Sequence, residues 1–241
     1  MRSSRVYRIM ASALVKLGEP DLAWLAADRA MAVAGGDPLR QATAAIPLGQ
    51  ALRATKRGRL AMGVTIAAAQ RIAPAVPHDG PPGELALCGT LLVEAALAAA
   101  VCGDAPGVAE LFDQAAKAAE RVGEGRDQFG PTTVAAARVV AAVELGDGAE
   151  AVAWHEKAIG GSGWGRLPVE HRAAHLIDAA RAYLQVGDLL RAGRALVDAH
   201  RTAPAEIRCR PVACTVLADV HRCGPMPADV ARLAALVGLT R

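Results

Sequence analysis

The sequence repeats one pattern at intervals of roughly 40 residues: an apolar helical segment, a glycine, and a second helical segment. Glycine is the residue that most readily ends a helix in the left-handed conformation, and the acidic residue that often follows suits the start of the next helix. A repeated unit of this length that holds two helices predicts an α-solenoid of about six helix pairs. The glycines that carry the pattern are Gly18, Gly58, Gly103, Gly146 and Gly187, with Gly224 as a sixth candidate.

The composition supports an all-α fold. Apolar residues make up 53% of the chain but aromatic residues only 3%, and the bulk is Ala, Leu and Val. On the second predicted helix, Ala23, Ala27 and Ala30 fall on one stripe, which predicts helix axes only about 8–10 Å apart. Trp24 lies on the same helix, and we expect it to fill a wider gap. Phe129 is expected to pack against the core from a loop.

The clearest unit runs from residue 175 to residue 204, with its turn at Gly187. Its inward positions recur at helical spacing. They are Leu176, Ala180 and Tyr183 on the first helix, and Ala192, Leu196 and Ala199 on the second. In the order and size of these residues the unit resembles the tetratricopeptide repeat. That resemblance implies that the first helix of each pair lines a concave face.

Several strings also resemble a more specific family, the actinobacterial helix-turn-helix transcriptional regulators of the XRE class. The strings are GEPDLAWLAADRAM at 18–31, FGPTTV at 129–134, AAVELGDG at 141–148, HLIDAARAY at 175–183 and EIRCRPV at 206–212. In that family a DNA-binding domain comes first, and the repeats after it are thought to sense a ligand or to mediate dimerisation. The resemblance implies that residues 1–241 are a single tetratricopeptide-like repeat domain, with the DNA-binding helix-turn-helix domain absent.

Two functions remain open on this basis. The first is a ligand-sensing and oligomerisation domain related to transcriptional regulators, with a possible homodimer. The alternative is a free-standing tetratricopeptide-like adaptor that mediates protein–protein interaction. Residues 40–60 could be read as a hidden DNA reader, because Gln41, Ala45 and Gly49 have suitable spacing, but Pro47 interrupts that pattern. With a net charge of only +3, we expect no specific DNA binding by this chain alone.

Cysteine usage and hydropathy predict a cytoplasmic protein without membrane contact. The five cysteines are odd in number, which favours free thiols over a disulfide framework. Residues 85–103 are apolar over nearly the length of a membrane span, but Glu94 lies at their centre. This segment is therefore interpreted as a buried helix of the repeat array.

No pattern predicts an enzyme, a cofactor or a metal site. His171, His175 and Asp178 share one helical face, but the Glu of a metalloprotease motif is missing, and surface exposure is the simpler interpretation. Cys209, Cys214, His221 and Cys223 match no standard zinc spacing. The glycine-rich stretch at 160–166 follows no strand, so it predicts a loop between repeats.

The predicted ligand-binding site is an apolar trough with cationic ends on the concave face. It suits a peptide, a protein segment or a small apolar acidic ligand. The same apolar positions could instead pack against a neighbouring helix or a dimer partner. The predicted lining residues are Arg5, Arg8, Leu48, Leu52, Val93, Leu97, Thr133, Val140, Glu144, Arg181 and Gln185, with Lys16 and Thr90 beside them.

Overall fold

The structure is a computed structural model that describes residues 2–74, 80–124, 129–224 and 227–239. Helices account for most of these residues, and the described ranges contain no strand, as the sequence predicts for an all-α solenoid. The chain divides into two compact units, residues 1–137 and residues 138–241, with the boundary inside a helix. The single repeat domain over residues 1–241 stays a prediction.

The first unit consists of consecutive helix pairs. In each pair the second helix packs against the first, and the first helices also contact one another. The helices are α1 (Arg2–Lys16), α2 (Pro20–Ala32), α3 (Pro38–Ala54), α4 (Gly58–Ile72), α5 (Pro82–Val101) and α6 (Ala105–Val122), with α7 (Pro131–Leu145) crossing the boundary.

The second unit continues the pairing and then departs from it. A 3-10 turn (Trp164–Arg166) separates two pairs, and a six-residue helix is inserted before the last pair. The helices are α8 (Gly148–Gly160), α9 (Val169–Gln185), α10 (Leu189–Thr202), α11 (Pro204–Cys209), α12 (Pro211–Cys223) and α13 (Ala228–Leu236).

Four of the predicted turn glycines behave as expected. Gly18, Gly103, Gly146 and Gly187 have φ between 74° and 82°, the left-handed region that ends a helix at little cost for glycine. After the last three, an aspartate begins the next helix, and its carboxylate accepts a hydrogen bond from a backbone N–H of the first turn. In these four pairs, the turn residues therefore determine where the chain folds back.

The prediction that Gly58 and Gly224 are left-handed helix ends is wrong. In the second pair the left-handed residue is Lys56, with φ of 63°, and Gly224 is extended, with φ of 167°. Gly58 instead begins α4, where a Cβ would lie 2.7 Å from Sγ of Cys102 and 3.2 Å from the carbonyl oxygen of Ala98. Its glycine is explained by the close approach of α4 to α5.

Alanine fills the contacts between helices, as predicted. Ala23, Ala27 and Ala30 are fully buried, and the alanines on the inward face of α10 are buried too. Trp24 is different: 39% of it is exposed, so the prediction that it fills a gap between helices is wrong. It lies one position from the alanine stripe, on a more exposed side of α2. Phe129 is buried, as predicted.

Helix α5 is long and apolar enough to cross a membrane by length and composition, and it is the one such helix among the described residues. In the structure it packs against α3, α4 and α6, and most of its residues are buried. Helix α3 runs without interruption from Pro38 to Ala54, with Pro47 inside it. Gln41, Ala45 and Gly49 therefore lie on one helix and lack the turn that a helix-turn-helix requires.

The packing of Phe129 generates a test of the core. A Cβ at Gly89 would collide with the Phe129 ring, so Gly89→Ala should lower the free energy of unfolding by about 1–3 kcal/mol. At Gly63, inside α4, an added methyl group would meet no atom within 4 Å. Gly63→Ala should therefore raise stability by up to about 1 kcal/mol through helix propensity. Guanidinium unfolding curves measure both changes, and equal effects would contradict the assigned contact.

Candidate functional site

The first helices of unit 1 form a layer in which α3 contacts both α1 and α5. A chain of polar side chains crosses this layer. Oγ of Ser12 donates to Oε1 of Gln50 at 3.5 Å, and Nε2 of Gln50 donates to Oε1 of Glu94 at 2.6 Å. Arg53 forms an ion pair with the other Glu94 oxygen at 3.2 Å. We call the surface marked by these four side chains the first-helix face of unit 1.

Glu94 is the buried member of this chain, with 9% of the residue exposed. An ionised carboxylate removed from water is costly unless charges and hydrogen bonds replace the lost hydration. Gln50 and Arg53 supply these interactions, and both belong to α3. The pairing therefore fixes α3 against α5 and explains why an acidic residue is tolerated at the centre of an apolar helix.

The basic side chains of α1 lie on the same stripe as Ser12. Arg8 and Lys16 each lie four residues from Ser12, and Arg5 lies seven residues from it. Residues at these spacings lie on the same face of a helix. Burial and the neighbouring Arg5 lower the pKa of Arg8, so its positive charge lies in an unfavourable environment. No described carboxylate forms an ion pair with Arg5 or Arg8. The predicted cationic end is therefore present on this face.

The predicted apolar floor is largely core. Leu52 and Leu97 are 5% and 8% exposed, and Leu52 packs in one cluster with Ala61 and Ala98. These two leucines follow the alternative interpretation, packing against a neighbouring helix, and offer little surface to a ligand. Three predicted lining residues of unit 1 stay half-buried: Leu48, Val93 and Thr133.

In unit 2 the predicted charged residues neutralise one another. Arg181 donates to Oε1 of Glu144 at 2.7 Å and lies 3.6 Å from Oδ1 of Asp178. Nε2 of Gln185 donates to the carbonyl oxygen of Val143 at 2.8 Å. Burial raises the pKa of Asp178, although Arg181 and then Arg210 oppose that shift. The structure brings these residues together, as predicted, but the guanidinium of Arg181 already has two carboxylate partners. The predicted lining residue Val140, on α7, is half-buried.

A buried histidine pair lies elsewhere in unit 2, and sequence reasoning missed it. His155 on α8 and His175 on α9 are each 5% exposed, and Nδ1 of His155 lies 2.8 Å from Nε2 of His175, so one nitrogen donates to the other. The interpretation of His175 as a surface residue is therefore wrong. His171, four residues earlier, is exposed. No group of three or more metal-ligating side chains occurs within the described ranges.

Aromatic rings surround the histidine pair. Trp164 meets His175 edge-on with ring centres 5.1 Å apart, and Tyr183 meets His155 edge-on at 5.7 Å. Burial, and to a smaller extent His155, lowers the pKa of His175 to about 3. Burial also lowers the pKa of His155, against the opposing effect of Glu156. Both imidazoles are therefore neutral at neutral pH.

This lowered pKa predicts that acid destabilises the protein. The unfolded chain binds a proton at His175 below a pH of about 6.5, whereas the folded protein does not until about pH 3. The contribution of His175 to stability is therefore complete above about pH 6.5 and is lost as the pH falls towards 3. Between roughly pH 7.5 and pH 5, the free energy of unfolding should fall by about 2 kcal/mol from this residue.

Guanidinium unfolding at the two pH values measures this loss. The double variant His155→Gln/His175→Gln should show a smaller decrease than the unmodified protein. His171→Gln, at an exposed position one turn earlier on the same helix, should keep the full decrease. An unchanged decrease in the double variant would mean that other groups cause the acid sensitivity.

Comparisons with known proteins agree with the helix-pair architecture. No protein-family model matches the chain, and no curated protein matches it. Solved structures do. A single-substitution variant of a candidate kinesin light chain from Podosopora anserina, with nearly identical TPR-like repeats, has a TM-score of 0.50 at 19% identity. The alignment covers 84% of this chain and 96% of that one.

Two further structures have lower scores. The same Podosopora anserina protein without the substitution has a TM-score of 0.48 at 19% identity, over 85% of this chain and 96% of that one. The TPR2AB domain of yeast Sti1, in its pHSP90 complex, has a TM-score of 0.39 at 15% identity, over 97% and 92%. At these identities the likeness concerns the fold alone: the chain has a tetratricopeptide-like α-solenoid fold.

Proposed function

We propose that this chain is an interaction module that binds an acidic peptide or an acidic segment of a partner protein. The binding surface is the first-helix face of unit 1. The observation that carries the proposal is the cationic stripe of α1, where Arg5 and Arg8 face the same side as Ser12 without a described carboxylate partner. A partner that brings carboxylates to this stripe would relieve the repulsion between the two guanidinium groups.

The neighbouring helices supply groups that can recognise a polypeptide. Gln50 and Arg53 are half-buried, and both are held in place by Glu94. Val93, on α5, adds a half-buried apolar side chain. A row of fixed polar groups beside an apolar contact suits an extended segment, because main-chain groups need hydrogen-bond partners and side chains need pockets. An extended peptide in which neutral and acidic residues alternate would match this surface.

The proposal predicts which peptides bind. In a selection of random twelve-residue peptides displayed on phage, the enriched sequences should contain more Asp and Glu than the starting library. A synthetic enriched peptide, labelled with fluorescein, should then bind in an anisotropy titration. The double variant Arg5→Ser/Arg8→Ser should weaken that binding by at least about tenfold, the effect expected for loss of charge-assisted hydrogen bonds.

A matched control removes two exposed arginines from second helices instead. Arg29 on α2 and Arg59 on α4 are both exposed, so Arg29→Ser/Arg59→Ser changes the net charge equally without touching the stripe. This variant should bind the peptide with unchanged affinity. Equal weakening by both double variants, or enriched peptides without an excess of acidic residues, would contradict the proposed surface.

Within this function, the relation to XRE-class regulators is a finer proposal. Its support is the set of strings at 18–31, 129–134, 141–148, 175–183 and 206–212, together with the repeat fold. On this proposal the partner segment, or a small acidic ligand, is a signal, and the chain acts in the cytoplasm without catalysis. A homodimer would fit such a regulator. The adaptor function requires neither a signal molecule nor a homodimer.

The regulator proposal also predicts a negative result with DNA. A chain with a net charge of +3 cannot neutralise many phosphates, and the segment at 40–60 forms part of a helix hairpin. In a gel shift at physiological salt, the chain alone should show no sequence-selective binding below about micromolar concentration, the weak end of protein–DNA affinity. A discrete complex that survives excess unrelated DNA would contradict this prediction.

A further inference from the structure

A cavity of about 340 Å³ lies in unit 2 between α8, α9 and α10. It is on the opposite side of α9 from Asp178, Arg181 and Gln185. Leu176 and Tyr183 line it, and at 3.6 residues per turn they point away from those three. Its volume falls in the range of small-molecule sites. The cavity is therefore separate from the surfaces of the first helices described above.

The walls combine aromatic and cationic groups. Trp164 and Tyr183 contribute rings, and Arg172, Arg191 and Arg194 contribute guanidinium groups. Arg191 is partly neutralised, because it lies 3.4 Å from Asp188 and 3.9 Å from Glu156. Asp198, the one carboxylate among the described lining residues, pairs with Arg201 at 3.4 Å.

The other two arginines have no carboxylate partner among the described residues. Within the described ranges, no carboxylate forms an ion pair with Arg172 or Arg194. Nε of Arg172 is also buried without a hydrogen-bond partner, which is costly for a charged donor. The cavity therefore has an excess of positive charge. It comes from two guanidinium groups that have no described carboxylate partner, and one of them also has a buried N–H without a hydrogen bond.

We propose that this cavity is a binding site for a small aromatic organic anion. Arg172 and Arg194 hold the anionic group, a carboxylate or a phosphate, through charge-assisted hydrogen bonds. The aromatic part lies against Trp164, Tyr183 and the apolar side chain of Leu176. An inorganic anion alone would leave this apolar wall uncovered, and a neutral aromatic molecule would leave the guanidinium groups unpaired.

The aromatic frame of the cavity is held in place by the histidine pair. His155 itself lines the cavity, and it is fixed by its hydrogen bond to His175 and its edge contact with Tyr183. Trp164 is held against His175 on the 3-10 turn. The rings are therefore positioned before any ligand arrives, which reduces the entropy that binding must overcome.

Calorimetric titration of the full chain with three probes that share one naphthalene ring tests the proposal. The probes are 1-naphthyl phosphate, 1-naphthoate and the neutral 1-naphthol. At least one of the two anions should bind at a single saturable site, about tenfold or more tighter than 1-naphthol. Which anion binds tighter distinguishes a phosphate ligand from a carboxylate ligand. Equal affinity for 1-naphthol, or no binding of either anion, would overturn the proposal.

Variants locate the site. Arg172→Gln/Arg194→Gln should weaken the anions by about tenfold or more and leave 1-naphthol unchanged. Arg194 is exposed, so Arg194→Gln alone tests the same contact if the double variant does not fold, as judged by thermal melting. Arg232→Gln, an exposed arginine on α13, is the matched control and should bind like the unmodified protein. Undiminished anion binding by Arg194→Gln and by a folded double variant would refute the assigned residues.

Discussion

The close approach of helices through alanine and glycine is the constraint on which the rest of this structure depends. Ala23, Ala27 and Ala30 are completely buried, and a Cβ at Gly58 would lie 3.2 Å from the carbonyl oxygen of Ala98 on α5. Small side chains at these contacts leave little room for adjustment, because protein interiors are close-packed. The hydrogen bond from Gln50 to Glu94 likewise depends on the close approach of α3 to α5, since the two side chains must meet between the helices.

The two units differ in how far their basic side chains are paired with carboxylates. On α1 of unit 1, the guanidinium groups of Arg5 and Arg8 share a stripe without a described carboxylate partner. In unit 2, Arg181 lies between two carboxylates and needs no external partner. Exposed ion pairs contribute little to stability, so the difference matters chiefly for what each surface can attract. The stripe on α1 carries positive charge without described carboxylate partners, whereas the charges around Arg181 are closer to balanced.

The sequence allowed the fold to be predicted because its turn signals are local. A glycine such as Gly103 followed by Asp104 ends one helix and begins the next without help from distant residues. The prediction failed at Gly58. There the glycine is needed because a neighbouring helix packs closely against it, and Lys56 adopts the left-handed conformation instead. It also failed at Trp24, because a helical stripe does not reveal how far neighbouring helices cover it.

The site residues were harder to predict for the same reason. His175 belongs to a pair whose other member, His155, lies on a different helix, so spacing along α9 suggested a surface residue. Leu52 and Leu97 were expected to line a trough, yet first-helix positions contact the next repeat as readily as they face solvent. The stripe of Arg5 and Arg8 was visible in the sequence because residues three or four positions apart share a helical face, whereas the carboxylate partners of Arg181 depend on tertiary packing.

The buried carboxylate of Glu94 has a consequence for how such a chain can change over evolutionary time. Solenoids gain and lose units by duplication and unequal recombination, which succeed when every junction between units is equivalent. Here the junction of α3 with α5 is marked by Gln50 and Arg53 on one side and Glu94 on the other. A recombinant that joined α5 to a different preceding unit would bury an unpaired charge, at a cost of several kcal/mol. We therefore expect recombination between the second and third repeats to be disfavoured, because it would separate Glu94 from Gln50 and Arg53.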